Sequence, residues 1–302
     1  MEGPRSGNGF VMSDIETLQS GKGHTDENFP VASVLIHPRH RPAILAFYRF
    51  VRAADDIADN ATAEPSEKLR LLERMLKSLH GEDDVPEGLG LRAELAKNKL
   101  TSQHAEDLLE AFRRDVTKLR YDDWDDLCDY CRYSASPVGR YVLDVHGESR
   151  ELWPYNDKLC TALQIINHLQ DCAMDYRELN RVYIPIDALT AAGLGVEALD
   201  SASSPPALRS VIVGLAGRVS ELLKDSKPFA RGIQDARLAL EVSVIHELAG
   251  DLTRRLKTHD PLCDRVHHRK SEALGLAALA AGGFAVSRLM PRPKRIASEQ
   301  YS

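Results

Sequence analysis

The feature that most restricts how this chain can fold is the near absence of strand-like alternation between apolar and polar residues. From Pro42 onward, Leu, Ala, Glu, Arg and Lys dominate, and these are strong helix formers. Turn-forming residues separate the helical stretches at residues 82–90, 150–156, 185–206, 226–228 and 259–261. None of these breaks is long enough to be a clear interdomain linker. The sequence therefore predicts an all-α protein, with a single helical domain over residues 26–290, a mobile N-terminal tail over residues 1–25 and a C-terminal tail over residues 291–302.

The charge balance argues against a nucleic-acid partner. The 302 residues include 45 Asp and Glu against 39 Lys and Arg, a net charge of −6, so the overall field repels a phosphate backbone. Five cysteines, an odd number, do not make a disulfide framework, and the first residues lack the apolar run of a secretory signal. These observations predict a cytoplasmic protein in which an anionic substrate is held by local cations or by a metal ion.

One apolar stretch near the C-terminus bears on membrane contact. Residues 273–287 are uncharged and mostly small or apolar, but a membrane-spanning helix needs about 20 such residues. The pattern favours a buried C-terminal helix. A helix that contacts a membrane surface, or that lines a substrate tunnel, is the alternative, and the first of these would make the protein peripheral to the membrane.

The first pattern with chemical meaning lies in the predicted helix over residues 43–59. The residues that share one of its faces at about 100° per residue are Tyr48, Arg52, Asp55 and Asp59. The rest of this helix is apolar, so the two carboxylates must face either water or a charged ligand. Arg52 lies one turn before Asp55, where it either donates to an anionic substrate or neutralises the neighbouring aspartates.

The same arrangement recurs in a second predicted helix, over residues 159–178. The residues that share one face there are Gln164, Asn167, Asp171 and Asp175. Mg²⁺ prefers oxygen ligands and is commonly held by one or two carboxylates together with substrate phosphates. Two facing Asp pairs, with Asn167 beside the second, therefore predict a Mg²⁺ site that clamps a diphosphate. A single pair is more often a solvated helix face, and it is the recurrence that favours the metal site.

Three stretches in a fixed order resemble one family of enzymes. They are FYRFVRAADDIAD at residues 47–59, YCRYSASPVG at residues 130–139 and QIINHLQDCAMDYRELNRVYIP at residues 164–185. Together they resemble the squalene and phytoene synthases, and the likeness runs from about residue 29 to residue 270. The resemblance implies an isoprenoid (terpenoid) synthase fold, in which two aspartate-rich helices face each other across a central cavity.

The resemblance also implies which residues contact the substrate. Arg181, Arg265 and Lys270 match cationic positions of the family and would bind the diphosphate, although the run RVHHRK at residues 265–270 also fits a solvated face. A carbocation needs a dry cavity with aromatic faces nearby. The candidates for such faces are Phe29, Phe47, Tyr48, Tyr130 and Tyr183. The candidates for positioning a water molecule are Asn167, which ranks first, Gln164, Tyr48 and Tyr130.

Within this family, the chain is most similar to the hydroxysqualene synthases of bacterial hopanoid biosynthesis. The similarity lies in ENFPVAS at residues 27–33, HPRHRPAILAFYRF at residues 37–50 and YCRYSASPVGR at residues 130–140. The chain departs from the condensing members of the family at Asp26 and Asn28 (usually serines), at Ser136-Pro137 (usually Ala-Gly) and at Gln170 (usually Arg).

This narrower resemblance implies a reaction. Presqualene diphosphate would lose its diphosphate with the help of Mg²⁺, and the resulting cation would rearrange and be captured by water to give hydroxysqualene. A downstream hydroxysqualene reductase would act in the same pathway. Two alternatives stay open: condensation of prenyl diphosphates by a presqualene diphosphate, squalene or phytoene synthase, and a non-catalytic assembly protein of the same fold.

Two further motifs are set aside. Cys128 and Cys131 have the spacing of a zinc site but lack a second pair of ligands. His267 and His268 would point about 100° apart on a helix, which makes them a poor metal pair and suits the surface or the neighbourhood of a phosphate.

Overall fold

The structure is a computed structural model that describes residues 36–289. Within this range the chain is all-α, and its β-type pairing is an isolated bridge between Arg120 and Val182. The helices are α1 (Arg41–Asp59), α2 (Pro65–His80), α3 (Pro86–Asn98), α4 (Gln103–Thr117), α5 (Trp124–Ser134), α6 (Ser136–His146), α7 (Trp153–Gln170), α8 (Cys172–Leu179), α9 (Ile186–Ala191), α10 (Pro206–Ser226), α11 (Phe229–Gly232), α12 (Ala236–Thr258) and α13 (Lys270–Leu289). Short 3₁₀ turns cover Arg150–Leu152 and Val196–Asp200. The two predicted tails, and with them Asp26, Asn28 and Phe29, lie outside the described residues.

Prolines begin several helices, and some of these starts lie in the predicted breaks. Pro86 and Pro154 lie in the first turns of α3 and α7, and Pro206 begins α10. A proline ring presets the helical φ angle, and its missing N–H is one that the first turn leaves unpaired anyway. The expected break at residues 82–90 is therefore shorter than predicted. It begins after Gly81, which ends α2 with a φ of 86° that glycine adopts without strain.

Two clusters of buried side chains form the core. The first is built mainly by α1 to α4 and encloses Phe50 and Leu72. The second is built mainly by α5, α7, α10 and α12 and encloses Ile166. Helix α6 joins them, because its Tyr141 belongs to the first cluster and its Leu143 to the second. Burial of this apolar surface is the main force that holds the helices together.

The second aspartate helix is not continuous, which corrects the prediction of one helix over residues 159–178. Helix α7 ends at Gln170 and α8 begins at Cys172. Between them, Asp171 has a φ of −104° and a ψ of 8°, in a sparsely populated region of backbone space that active-site residues often occupy. Asp171 N still donates to Asn167 O at 2.9 Å, and Asp175 N donates to Asp171 O at 2.8 Å. The hydrogen-bond ladder thus runs through the break and keeps the polar residues on one side.

The C-terminal helix α13 is more exposed than the sequence predicted. Leu274 and Leu279 are 71% and 76% exposed. Ala280 is buried, whereas the other described side chains of α13 are exposed or half-buried. The prediction of a buried C-terminal helix is therefore wrong, because α13 packs mainly on α12 and leaves most of its described side chains exposed or half-buried. Within residues 36–289, no helix has both the length and the hydropathy needed to cross a bilayer.

Candidate active site

A cavity of about 440 Å³ lies between the two core clusters. Its walls come from α1, α4, α5, α6, α7 and α8 and from the loop that follows α8. The predicted residues that line it are Phe47, Tyr48, Arg52, Asp55, Asp59, Tyr130, Gln164, Asn167, Asp171, Asp175, Arg181 and Tyr183. Both aspartate pairs therefore face one cavity, and the metal site that the recurring pattern predicted stays a prediction.

The cavity is apolar at one end and acidic at the other. Along α1 the lining runs from Phe47 to Asp59, a rise of about 18 Å at 1.5 Å per residue. Along α4 it changes in the same direction, from Leu108 to Asp115. The two polar ends coincide, because Arg181 hydrogen-bonds to both of them. This polarity suits an amphiphilic substrate with an anionic head and a hydrocarbon body.

The negative charge of Asp55 is poorly compensated. Its side chain is 33% exposed, and Arg52 Nη1 donates to it at 2.9 Å. The same guanidinium also binds Asp56, through Nη2 at 2.7 Å. The pKa of Asp55 is raised to about 7; burial is the largest cause, repulsion by Asp59 contributes to the rise, and Arg52 opposes it. A cation beside Asp55 and Asp59 would therefore be favourable.

We expect Asp55→Asn to raise the melting temperature of the metal-free protein at about pH 8, by about 2 °C or more. The folded protein holds the Asp55 proton up to about pH 7, whereas an unfolded chain releases it near pH 4. The folded state thus binds the extra proton, and stability falls as the pH rises through this range. An asparagine amide does not ionise, so the variant does not lose this stability as the pH rises. Thermal unfolding in EDTA at about pH 4 and about pH 8 measures the difference, which should be small at the lower pH.

The matched control for this experiment is Glu178→Gln. It removes the same charge from α8 at an exposed position that does not line the cavity. A rise at pH 8 that is equal in the two variants would mean that net charge, and not the crowding of carboxylates around Asp55, sets the stability.

Asp115 on α4 is a site residue that was not among those predicted from the sequence. Its side chain is buried, and its two carboxylate oxygens accept hydrogen bonds from the hydroxyls of Tyr130 and Tyr183, each at 2.9 Å. Burial raises the pKa of Asp115, while Arg181 and the two hydroxyls counteract the rise. Asp115 follows Leu108 by seven residues, so the two share one face of the helix. This spacing is the signal by which Asp115 could have been found.

Arg181 connects the polar ends of α1 and α4 through hydrogen bonds. Its Nη1 binds Asp59 at 2.5 Å, and its Nη2 donates to Ala58 O at 3.0 Å. Its Nε donates to Asp115 O at 3.1 Å. The family resemblance implied that Arg181 binds the substrate. The structure places it on the cavity wall with its donors directed to α1 and α4, so that it neutralises one of the four aspartates.

His168 on α7 also lines the cavity and was not among the predicted residues. Its ring stacks on Tyr183, with centroids 3.5 Å apart and planes tilted by 14°. The Gln164 amide donates to His168 Nε2 at 3.0 Å, and His168 Nδ1 lies 3.8 Å from Asp175 Oδ2. This imidazole therefore connects the aromatic wall to the second aspartate pair.

The loop between α12 and α13 reaches the second aspartate pair through His267. His267 Nε2 lies 3.5 Å from Asp171 Oδ1, while His268 binds an aspartate on α12. The assumption that these histidines share a helix is wrong, because residues 261–269 form a loop. Arg265 and Lys270 from the same run are exposed and do not line the cavity.

The carboxylates of the cavity offer a donor set that fits Mg²⁺. Within residues 36–289, no three Asp, Glu, His or Cys side chains of the cavity bring ligand atoms within 4.8 Å of one another, so they do not form a closed cage. Mg²⁺ does not require one, since one or two carboxylates per ion suffice when water and substrate phosphates complete the shell. The residues able to hold such ions are Asp55, Asp59, Asp171, Asp175 and, through its amide oxygen, Asn167.

The chain belongs to the squalene/phytoene synthase family, whose profile matches residues 22–272. It is similar to the hydroxysqualene synthase of Zymomonas mobilis, with 56% identity over 269 residues that cover 88% of this chain and 91% of the relative. It is also similar to the hydroxysqualene synthase of Rhodopseudomonas palustris, with 55% identity over 262 residues that cover 86% of this chain and 90% of the relative. The chain is thus an enzyme of this family, and it resembles the hydroxysqualene synthases, as its motifs predicted.

Solved structures confirm the terpenoid synthase fold. The squalene synthase HpnC from Alicyclobacillus acidocaldarius superposes with a TM-score of 0.65 and 27% identity, covering 90% of this chain and 93% of that one. A dehydrosqualene synthase in complex with a ligand gives a TM-score of 0.73 at 21% identity, covering 91% and 98% of the two chains. The second likeness concerns the fold alone.

Proposed function

We propose that this enzyme converts presqualene diphosphate into hydroxysqualene and releases diphosphate. The observation that carries the proposal is that two aspartate pairs, from α1 and from the α7–α8 junction, line the acidic end of a cavity whose other end is apolar. Three relatives that are 51–56% identical to the chain over most of its length are hydroxysqualene synthases, which favours this reaction over head-to-head condensation.

The cofactor that we propose is Mg²⁺, held by the two aspartate pairs with Asn167 beside the second. The all-oxygen donor set supports this choice. So does the raised pKa of Asp55, which burial and the neighbouring Asp59 cause and which a cation would reverse. When bound, Mg²⁺ supplies positive charge that stabilises the departing diphosphate.

The cations of the protein orient the diphosphate at the acidic end. Arg52 lines the cavity one helical turn before Asp55, so its guanidinium is placed to donate to a diphosphate oxygen. Arg181 is held by Asp59 and by two backbone carbonyls, and it acts as a fixed positive charge behind the first pair. His267 lies beside Asp171 and adds a further donor there.

The apolar and aromatic walls shelter the hydrocarbon and its carbocation. Phe47, Tyr130 and Tyr183 contribute rings to these walls, which stabilise positive charge through their π faces. The hydroxyls of Tyr130 and Tyr183 are committed to Asp115, so these oxygens are held away from the cation. Tyr48 lines the same wall one turn before Arg52.

Water capture completes the reaction. We assign its positioning to Asn167, with Gln164 and His168 adjoining it on α7. Capture consumes one water molecule, forms the C–O bond of the alcohol and releases one proton. No hydride donor takes part, so we propose that a separate hydroxysqualene reductase consumes the product.

Product analysis tests the proposal. With presqualene diphosphate and MgCl₂, and without a reductant, we expect one hydroxysqualene and one diphosphate per substrate, measured by mass spectrometry of the extract and by a diphosphate assay. EDTA should stop the reaction. Formation of presqualene diphosphate or squalene from farnesyl diphosphate would instead show a condensing enzyme. A folded protein without turnover of either substrate would favour the non-catalytic assembly protein.

We also propose that the enzyme rests on a membrane surface through α13. Leu274 and Leu279 project from an uncharged stretch of that helix and are exposed. Arg292, Lys294 and Arg295 follow in the sequence, and such clusters attract anionic lipid headgroups. A C30 alcohol is nearly insoluble in water, so release beside lipid suits the product.

We expect the double variant Leu274→Glu with Leu279→Glu to bind anionic vesicles at least about tenfold more weakly, because each buried leucine contributes roughly 1.5–3 kcal/mol. Vesicle co-sedimentation measures the binding, and turnover of detergent-dispersed substrate should be unchanged. Leu89→Glu is the control, since Leu89 is an exposed leucine on α3. Equal binding by the double variant and the wild type would refute the membrane contact.

A further inference from the structure

Two histidines and an aspartate from distant parts of the chain meet on the side of the molecule where α1 and α12 begin. His40 precedes α1, His146 lies in the last turn of α6, and Asp235 precedes α12. One ligand atom of each lies within 4.8 Å of the ligand atoms of the other two, and all three side chains are half-buried. In the part of the chain that the structure describes, this is the one group of three Asp, Glu, His or Cys residues that meets that distance.

A buried carboxylate fixes the position of His146 relative to Asp235. Gly147 ends α6 with a φ of 70°, a conformation that suits glycine. The chain then turns so that Glu148, which is buried, accepts hydrogen bonds from Gln234 N at 2.9 Å and from Asp235 N at 2.8 Å. Hydrogen bonds from the backbone to Glu148 thus hold His146 and Asp235 close together.

The hydrogen bond of His146 leaves the correct nitrogen for a metal ion. His146 Nδ1 lies 2.8 Å from Val142 O, which can only accept, so Nδ1 is the donor and Nε2 is the nitrogen left for a metal ion. Histidines that bind metals generally donate their second ring nitrogen to a carbonyl or a carboxylate in this way. On the other side, Asp235 Oδ1 caps α12 by accepting from Arg237 N at 2.8 Å.

His40 is also in the form that binds metal. Its ring lies against that of His146, with centroids 4.2 Å apart. Nε2 of this imidazole accepts a hydrogen bond and therefore carries a lone pair. Arg39 Nε donates to His40 Nε2 at 2.8 Å. Arg39 is exposed. Its guanidinium would have to move away from His40 Nε2 before a metal ion could bind that nitrogen.

We propose that His40, His146 and Asp235 bind one Zn²⁺ ion, at a site separate from the aspartates of the cavity. Two imidazole nitrogens and one carboxylate oxygen are a donor set for Zn²⁺, whereas Mg²⁺ prefers oxygen ligands alone. The ion ties the beginnings of α1 and α12 to the end of α6, and it stabilises the folded state because the unfolded chain lacks the site. The proposal does not depend on the reaction that the cavity performs.

The experiment is a calorimetric titration of the full-length enzyme with ZnCl₂ in excess MgCl₂. We expect the wild type to bind one Zn²⁺ that is lost or weakened at least about tenfold in His146→Ala and in Asp235→Asn. Asparagine is as good a helix cap as aspartate, so Asp235→Asn keeps the beginning of α12 intact. The carboxylates of the cavity and the cysteines are present in every variant, and zinc bound by them does not change between variants.

One variant is expected to bind Zn²⁺ more tightly than the wild type. Misfolding would weaken binding, so it could not produce that result. Arg39→Ala removes the group that occupies His40 Nε2 and a positive charge beside the ion, so it should bind Zn²⁺ more tightly than the wild type. His259→Ala is the neutral control: His259 is exposed and lies beyond the other end of α12, about 34 Å from its beginning. Equal zinc affinity in wild type, His146→Ala and Asp235→Asn, or weaker affinity in Arg39→Ala, would overturn the proposal.

Discussion

Replacing Asp171 by Asn is expected to reduce turnover of presqualene diphosphate by about 10²–10³-fold or more, because the variant loses charge where the proposed reaction requires the departing diphosphate to be stabilised. Asp171 occupies the break between α7 and α8 and lines the cavity. Its Oδ1 lies 3.5 Å from His267 Nε2. The amide keeps the shape of the side chain and its backbone hydrogen bonds. We therefore expect far-ultraviolet circular dichroism and the melting temperature to change little while the rate falls.

Two comparisons make this result specific. Glu178→Gln removes one negative charge from α8 at an exposed position and should retain full turnover. The double variant Asp55→Asn with Asp171→Asn should lose little more than the Asp171 variant alone, because groups that act as one unit on one diphosphate are not additive. Full activity of the Asp171 variant, or strictly additive losses in the double variant, would contradict a shared clamp.

Replacing Asp115 by Leu is expected to lower the free energy of unfolding by about 2–6 kcal/mol, since each of two buried hydroxyls loses its acceptor at a cost of about 1–3 kcal/mol. The hydroxyls are those of Tyr130 and Tyr183, each 2.9 Å from the Asp115 carboxylate. Urea unfolding followed by circular dichroism measures the change. Asp115→Asn retains one acceptor oxygen and should lose less.

Removing the donors tests whether orphaned hydroxyls are the cause. The triple variant Asp115→Leu, Tyr130→Phe and Tyr183→Phe leaves no hydroxyl without a partner, so it should regain most of the stability lost by Asp115→Leu alone. A triple variant that is even less stable would show that Asp115 acts through its charge, beside Arg181, and not through the tyrosine hydroxyls.

The polar stripe of α1 could be predicted because helical geometry is local. Residues three and four apart must share a face of a helix, whatever the rest of the chain does. Tyr48, Arg52, Asp55 and Asp59 accordingly line one cavity. The second stripe was placed correctly for the same reason, although the helix breaks at Asp171, since the hydrogen-bond ladder continues through the break.

Residues that join the site through packing carried no such signal. His168 is a single histidine on a mostly apolar helix, and its role as a link between Tyr183 and Asp175 exists only after α7 has packed against the loop that follows α8. His267 reaches Asp171 from a loop, while Arg265 and Lys270, which the family resemblance implied, remain exposed. The path of the loop decides which residue of the run 265–270 points toward the cavity. Helical periodicity does not describe that path.

By itself, the sequence determined that the chain is helical and that two of its segments carry matching acidic faces, and it predicted that such faces hold a diphosphate through metal ions. Only the tertiary structure decided that Asp115 holds Tyr130 and Tyr183, that Arg181 ties α1 to α4, and that His40, His146 and Asp235 meet. The physical reason is the range of the interactions. A helix and its faces follow from neighbours within one turn, whereas contacts between distant segments follow from how whole helices bury their apolar surfaces against one another.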